Sequence, residues 1–403
     1  MTTILLFLLI LAILVLAHEW GHFFTARFFG MKVHEFGIGF PPRLCGFYHD
    51  PKTGKKVFVW GKGKSSLKNT VSGQDKNDLI EKNEFPATLY SLNLLPLGGF
   101  CQIKGENGDE STQDGSDSIE NCVQDSFSAK KSWQKIVVLS AGVFMNFILA
   151  SLVLGFGLMV GLPADFSGGV DEKAIVIEEP SVIIEQIVKN SPAEKVGLSY
   201  GDKILFLNET AIKNTLELNA FITANQDKEM EMIVLRNNEK INFKIIPEKN
   251  ENRYLIGVMI ADAGIVRYPW YIAFYKGFLA AIIGFVNIFI SFYLLLKNLI
   301  LGQGLIFDVS GPVGIVNLVG ESAKLGFNYI LNLIAMLSLS LAAINILPIP
   351  ALDGGRILFI LIGKIKGSPV KQKYENFAHT IGFILLMALI VLVTWRDILN
   401  LIR

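Results

Sequence analysis

The sequence predicts an integral membrane protein with a mainly α-helical transmembrane core of about four spans, a membrane-associated β-hairpin and an inserted β-rich domain. Long uncharged stretches recur along the chain, and 51% of its 403 residues are hydrophobic. The apolar stretch 87–104 is broken by proline and glycine, whereas 170–262 alternates in a way that is typical of a soluble β domain. The net charge of +1 gives no indication of nucleic-acid binding.

Residues 1–29 are predicted to form the first transmembrane helix. Residues 3–17 carry no charge, and the apolar pattern is long enough to cross a hydrocarbon core. A secretory signal peptide is the alternative, but the stretch lacks a basic start and a small-residue cleavage site. Basic residues follow the end of the helix, so the positive-inside rule places that end in the cytosol and the N-terminus outside.

A His-Glu-x-x-His motif lies within this helix, at His18, Glu19 and His22. Residues four apart share one face of a helix, so both imidazoles can bind one Zn²⁺ while Glu19 reaches the attacking water as general base. The motif also occurs by chance, and a lone helical histidine is usually structural. However, burying these three side chains in hydrocarbon is costly unless a function compensates. The sequence therefore predicts a zinc site nearer the cytosolic face.

Residues 30–132 are predicted to be a cytosolic region with a re-entrant β-hairpin between flexible loops. The loops, 61–84 and 106–124, are rich in Gly, Ser, Asn and Asp. The second loop is acidic, and we interpret it as a solvated connector rather than a cation site. Between the loops, proline and glycine interrupt the apolar stretch 87–104, which favours a hairpin over a spanning helix.

Residues 133–162 are predicted to form the second transmembrane helix. It begins beside cytosolic lysines and so runs from inside to outside. Asn146 is its only strongly polar side chain at mid-depth. A hydrogen bond to a neighbouring helix and a role in the site explain this residue equally well.

Residues 170–262 are predicted to form a β-rich domain outside the cytosol. Apolar positions alternate over four short segments, 183–188, 203–207, 230–235 and 241–246. The runs 191–198 and 201–205 resemble the PDZ domains of bacterial membrane and periplasmic proteases. Such domains bind peptides by strand addition, so the resemblance implies a peptide or a substrate ectodomain as partner.

Two further spans are predicted at 329–362 and 376–403. The first contains the sequence NILPIPALDGG at 345–355, where prolines and glycines interrupt the helix and Asp353 lies at membrane depth. A tetrahedral catalytic zinc takes three protein ligands and a water, and the first helix supplies only two ligands. Asp353 is therefore the predicted third ligand.

The two motifs, in this order and with a PDZ-like domain between them, resemble the site-2 protease family (M50) of intramembrane zinc metalloproteases. Bacterial members of the type that cleaves anti-sigma factors are the most similar, here with a single PDZ-like domain. The resemblance implies Zn²⁺ held by His18, His22 and Asp353, with Glu19 as catalytic base. It implies hydrolysis of peptide bonds within or near the transmembrane segment of single-span membrane proteins.

The resemblance also implies residues that contact substrate. Residues 142–146 resemble the family's second-span motif, whose asparagine helps to hold substrate, although Val143 stands where many relatives have proline. Asn345 matches a family position near the site, and 92–103 resembles the re-entrant hairpin that presents an edge strand to substrate. The substrate-binding residues implied in this way are Asn146, Asn345, Leu92, Asn93, Leu94, Gly98, Gly99 and Phe100.

The number of membrane crossings over residues 268–320 follows from the directions of the helices on either side. The predicted zinc site lies near the inner end of a helix that runs from outside to inside. Asp353 lies in the C-terminal half of its own predicted helix, so that helix must run the same way for Asp353 to reach the zinc. An even number of crossings must then separate that helix from the PDZ-like domain, although hydropathy alone predicts a span at 278–296. We therefore expect interfacial or re-entrant helices over 268–320, in a bacterial cytoplasmic membrane whose lipid surrounds the core.

Two other classes of function fit parts of the sequence. An intramembrane metal transporter also uses His and Asp, but transport requires neither a glutamate between two zinc ligands nor a peptide-binding domain. A non-catalytic membrane scaffold built on the PDZ-like domain has no need of both zinc motifs. Zinc content, together with cleavage of single-span substrates by the wild type and by Glu19→Gln, separates the three functions.

Overall fold

The computed structural model describes residues 2–61, 64–65, 85–106, 124–166, 171–188, 191–236, 239–250, 253–302 and 310–402. Its helices are α1 (Thr2–Phe28), α2 (Ser132–Val160), α3 (Pro192–Val196), α4 (Thr215–Ala224), α5 (Trp270–Ile300), α6 (Pro312–Leu325), α7 (Phe327–Ile346), α8 (Asp353–Lys366) and α9 (Gln372–Ile402). The predicted polar loops lie largely outside the described residues.

The strands form two main sheets and one small hairpin. They are β1 (Val33–His49), β2 (Lys56–Trp60), β3 (Lys64–Ser65), β4 (Leu89–Ile103), β5 (Leu162–Asp165), β6 (Ile175–Ile187), β7 (Lys203–Leu207), β8 (Thr210–Ala211), β9 (Met230–Arg236), β10 (Glu239–Ile245), β11 (Glu248–Asn250), β12 (Arg253–Leu255) and β13 (Val258–Arg267). The chain divides into two compact units. The first comprises Met1–Ser151, Ala281–Val319 and Ile334–Arg403, and the second comprises Leu152–Ala280 and Gly320–Leu333.

Five helices in the described part of the chain are long and apolar enough to cross a membrane: α1, α2, α5, α7 and α9. The helical membrane core is therefore confirmed, with one candidate span more than expected. The additional one is α5, an unbroken helix of 31 residues where the sequence predicts interfacial or re-entrant helices over 268–320. Mid-helix, Gly284 lies against Leu339 of α7, and the rings of Phe285 and Phe147 of α2 make an edge-to-face contact. One face of α5 thus contacts other membrane helices, while most of this helix is exposed.

The span predicted at 329–362 is two helices joined by the loop 347–352. α7 ends before this loop, and Asp353 is the first residue of α8. The chain turns so tightly here that a Cβ on Gly354 would lie 2.2 Å from the carbonyl oxygen of Leu347. Asp353 is therefore presented by a turn and not by the face of a continuous span.

β1 and β4 are long bent strands that interleave within the first unit. The register places Phe36, in the first leg of β1, between Tyr90 and Cys101 in the two legs of β4. The second leg of β1 pairs with the first leg of β4 and with β2. The two legs of the predicted hairpin 87–104 therefore do not pair with each other, because a leg of β1 lies between them. Among the described strands, none pairs with the outer side of 99–103.

The second unit contains the predicted PDZ-like domain. Its sheet has the strand order β10-β9-β7-β6-β13-β5, and the four predicted segments match β6, β7, β9 and β10. The run 191–198 forms the short helix α3, where Ser191 accepts a hydrogen bond from the backbone N–H of Glu194. Gly197 ends this helix in the left-handed conformation, with φ at 84°. Buried aliphatic side chains from this sheet and from α4 form one core.

Candidate active site

His18, His22 and Asp353 converge although they come from opposite ends of the chain. Nε2 of His18 lies 3.2 Å from Nε2 of His22. Oδ2 of Asp353 lies 3.1 Å from the first nitrogen and 3.4 Å from the second. Both histidines are buried and the aspartate is half-buried. Among the residues that the structure describes, these three form the one group of His, Cys, Asp and Glu side chains that is able to hold a metal.

The spacing of these three atoms fits a zinc ion. Ligand bonds of about 2.0–2.1 Å in tetrahedral geometry place neighbouring ligand atoms about 3.3 Å apart. The observed separations of 3.1 Å, 3.2 Å and 3.4 Å match one face of such a tetrahedron. Oδ2 of Asp353 is also buried without a hydrogen-bond partner within the protein. A bound cation offsets the cost of burying that oxygen.

The backbone of α2 supports the two histidines from behind. α1 and α2 approach so closely that a Cβ on Gly21 would lie 2.3 Å from the carbonyl oxygen of Ala141. Nδ1 of His22 donates to the carbonyl oxygen of Val138 at 2.9 Å, which leaves the lone pair of Nε2 for a metal. A Cβ on Gly142 would lie only 2.5 Å from that Nε2 atom. Glycine at this position keeps the space between the helices open.

Asn146 lies behind His18 rather than at the cavity. Its side chain is fully buried, and Nδ2 is 3.4 Å from Nδ1 of His18. Its amide oxygen is buried without a partner. A metal bound to Nε2 of His18 would leave the ring proton on Nδ1, which would then be a hydrogen-bond donor. Rotation of the Asn146 amide would place its oxygen beside Nδ1 as the acceptor. The placement favours packing and orientation of His18 over direct contact with substrate.

A cavity of about 340 Å³ opens beside the three converging side chains. Glu19, which follows His18 on α1, lines it, as the motif predicts. The edge segment 99–103 of β4 contributes much of another wall, from Phe100 onwards. Gly99 precedes that wall, and a Cβ there would lie 3.8 Å from Cγ of Glu19. The unpaired edge of the sheet therefore borders the candidate site.

The predicted substrate-binding residues separate into two groups. Phe100 lines the cavity, and Gly98 and Gly99 lie immediately before it on the edge segment. Leu92, Asn93 and Leu94 are on the inner leg of β4; the Asn93 amide donates to the carbonyl oxygen of Gly39 at 3.1 Å. Asn345, in the last turn of α7, is half-buried and is not among the described residues that line the cavity.

An ion pair at the wall of the cavity is not apparent from the sequence. Arg356, in the first turn of α8, pairs with Glu106, which follows the edge segment. The only signal in the sequence was that Arg356 follows Asp353 by three residues, one helical turn. Glu106 begins the acidic stretch that we interpreted as a solvated connector, so its partner was not apparent.

Comparison with known proteins gives one family over most of the chain. The family model described as Peptidase family M50 matches residues 6–61 and 76–389. A putative zinc metalloprotease of Clostridium perfringens is 32% identical over 394 residues, covering 97% of each chain. The regulator of sigma-W protease RasP of Bacillus subtilis is 30% identical over 437 residues, covering 98% of each chain. A probable protease, eep, of Enterococcus faecalis is 30% identical over 438 residues, covering 99% of each chain.

Gly142→Ala should abolish tight metal binding, because the added methyl group occupies the space beside Nε2 of His22. We expect the affinity for zinc to fall by at least about tenfold, as for other disturbances behind a ligand. Competition with a chromophoric chelator on the purified full-length protein measures this affinity. Phe144→Leu, on the exposed side of α2, is the control and should bind zinc normally. Normal affinity in Gly142→Ala would show that the helices separate freely or that His22 is not a ligand.

Proposed function

The chain belongs to peptidase family M50 and is a zinc metalloprotease of the membrane, and from this premise we propose that it cleaves single-span membrane proteins within or near their transmembrane segment. The observation that carries the proposal is the position of the candidate site. His18 and His22 lie on α1, one of the helices able to cross a membrane, and both are buried against α2, which is another. A peptidase site at that depth fits substrates that are themselves in the membrane.

The catalytic roles follow from the donor set. His18, His22 and Asp353 would hold the zinc, which when bound supplies polarisation of the scissile carbonyl and activation of water near neutral pH. Glu19 takes the proton of the attacking water and returns it to the leaving amine. Its carboxylate lines the same cavity as the three ligands, which is the position that this transfer requires.

Presentation of the substrate is proposed to use the edge segment 99–103. A peptide bond in a transmembrane helix is protected by the helix's own hydrogen bonds, and the unwound backbone needs new partners in hydrocarbon. The outer edge of β4 pairs with none of the described strands, so it offers backbone N–H and C=O groups beside Glu19. Strand addition at this edge replaces the bonds that the substrate loses on unwinding.

The proposed orientation places the N-terminus and the PDZ-like domain outside the cytosol of a bacterial cell. α9 supports it within the first unit, since His379 contacts Ala351 beside the site while Asp397 accepts from the backbone N–H groups of Gly311 and Gly314. At about 1.5 Å per residue, these two levels of α9 are about 27 Å apart. The site is proposed to lie near the cytosolic face, so the start of α6, at the other level of α9, lies towards the outside. This position agrees with an even number of membrane crossings between the PDZ-like domain and α7.

The substrate class is proposed from one relative and from the domain order. The relative from Bacillus subtilis is named as a regulator of sigma-W protease. We propose substrates of the same kind for this chain, namely single-span anti-sigma factors or signal-peptide-type segments. The PDZ-like domain, inserted between α2 and α5, would contact the peptide or ectodomain that such substrates carry outside the membrane.

Glu19→Gln and Asp353→Ala should separate catalysis from metal binding. The first variant keeps all three ligands and loses the proton acceptor, so we expect full zinc content and a rate at least about 10²-fold lower. The second should lose both zinc and activity, because two histidines hold the metal poorly. Metal analysis and cleavage of a tagged single-span substrate measure the two effects. A wild-type rate in Glu19→Gln would refute its role, and full zinc content in Asp353→Ala would mean that another residue is the third ligand.

Helix-breaking residues in the substrate should speed cleavage if unwinding precedes pairing with the edge segment. Two glycines near the scissile bond weaken a helix by about 2 kcal/mol, so the rate should rise by up to about 30-fold over an all-leucine span. Gel-based cleavage of matched substrates in detergent or vesicles tests this. Glycines placed at the far end of the same span are the control. Equal rates for all three substrates would contradict the unwinding step.

Deletion of residues 170–262 should change which substrates are cleaved without removing the chemistry. None of the proposed ligands nor Glu19 lies in the PDZ-like domain, so a substrate that has already been trimmed to a short external tail should still be cut. Substrates with bulky ectodomains should be newly admitted or lost, according to whether the domain excludes or recruits them. Cleavage rates of substrates that differ in the length of their external tail measure this effect. A folded, zinc-loaded deletion variant that cuts no substrate would show that the domain is needed for catalysis.

A further inference from the structure

The turn before the proposed third ligand has two internal backbone hydrogen bonds, donated by Ile349 and Leu352. Pro348 and Pro350 have no backbone N–H, and Ala351 adopts the left-handed conformation with φ at 82°. This conformation is strained for a residue with a Cβ and persists only where the surroundings impose it. Asp353 follows two residues later, so the position of its carboxylate depends on what fixes Ala351.

His379 of α9 supplies a direct contact to this turn. Its Nδ1 atom accepts a hydrogen bond from the backbone N–H of Ala351 at 2.8 Å. Nδ1 must therefore carry the lone pair, which places the proton of the neutral ring on Nε2. An unpaired backbone N–H at membrane depth is costly, so this hydrogen bond favours the observed turn over alternatives that lack it.

The packing of α9 leaves the turn little freedom around that bond. A Cβ on Gly382 would lie 2.4 Å from the carbonyl oxygen of Pro350, so helix and turn are in direct contact one helical turn beyond His379. The His379 ring also lies 5.6 Å from the ring of Phe359 on α8, the helix that Asp353 begins. Glu375, one turn earlier on α9, lies 4.0 Å from Nε2 on the far side of the ring.

We propose that His379 is a positioning residue for the zinc site, acting through the Ala351 N–H to hold Asp353 at the distance from His18 and His22 that zinc requires. The inference rests on the proposed ligand role of Asp353. The required feature is an acceptor at the Nδ1 position. Asparagine places its Oδ1 atom at the corresponding position, glutamine places its oxygen one bond farther out, and leucine has no acceptor.

The test compares zinc affinity in full-length protein carrying His379→Asn, His379→Gln or His379→Leu. We expect His379→Asn to bind zinc within about threefold of wild type, and the other two to bind about 10- to 100-fold more weakly, the range for lost support of a ligand. The absorption spectrum of the Co²⁺-loaded protein reports the ligand geometry independently of activity. It should match wild type in His379→Asn and change in the other two variants.

Two further variants separate the outcomes. Thr380→Val removes an exposed hydroxyl that donates to the backbone oxygen of Asn376 within α9, and it should leave zinc affinity unchanged. Asp353→Ala tests the premise, because full zinc affinity there removes the proposed ligand set itself. If Asp353→Ala loses zinc while His379→Leu and His379→Gln bind it normally, the role of His379 is refuted and the ligand set stands. If His379→Leu does not fold, the contrast between asparagine and glutamine decides, and equal affinities refute the role.

Discussion

The proposed ligand atoms are buried at membrane depth, so each must be oriented and its burial compensated, and much of the first unit is arranged around that requirement. The carbonyl of Val138 fixes the ring of His22, the amide of Asn146 faces His18, and the turn after α7 directs Asp353 between them. The first two supports come from α2, and the third comes from the turn between α7 and α8. The close crossing of α1 and α2 and the break between α7 and α8 thus serve the same requirement, which is to orient buried polar atoms and to offset the cost of their burial.

The sequence was sufficient for the parts of the fold and site that rest on local patterns. Helical spacing predicts that His18 and His22 share one face of a helix. The number of ligands that zinc requires, together with the prolines and glycines around Asp353, predicts that this residue is the third ligand. Four strands of the PDZ-like domain could be placed from alternation alone. Spacing determines which side chains share a face within one or two turns, so the pair His18 and His22 and the strands could be placed from local patterns. Joining Asp353 to that pair depended on the ligand count instead.

Features that depend on pairing between distant segments could not be predicted in this way. The stretch 87–104 has the proline and glycine of a hairpin, yet a leg of β1 lies between its two legs, and no local pattern specifies that insertion. Arg356 and Glu106 lie 250 positions apart, so their ion pair has no sequence signal. For α5, hydropathy and the parity of crossings gave opposite expectations, and helix length alone does not decide between them.

The division of the candidate site between α1 and α8 has a consequence for biosynthesis. The two proposed histidine ligands emerge from the ribosome at residues 18 and 22. The proposed third ligand follows more than three hundred residues later, and the histidine that contacts its turn later still, on α9. A nascent or truncated chain therefore lacks a complete metal site even after most of it has entered the bilayer. With the proposed ligands, proteolytic competence requires that nearly the whole chain has been made.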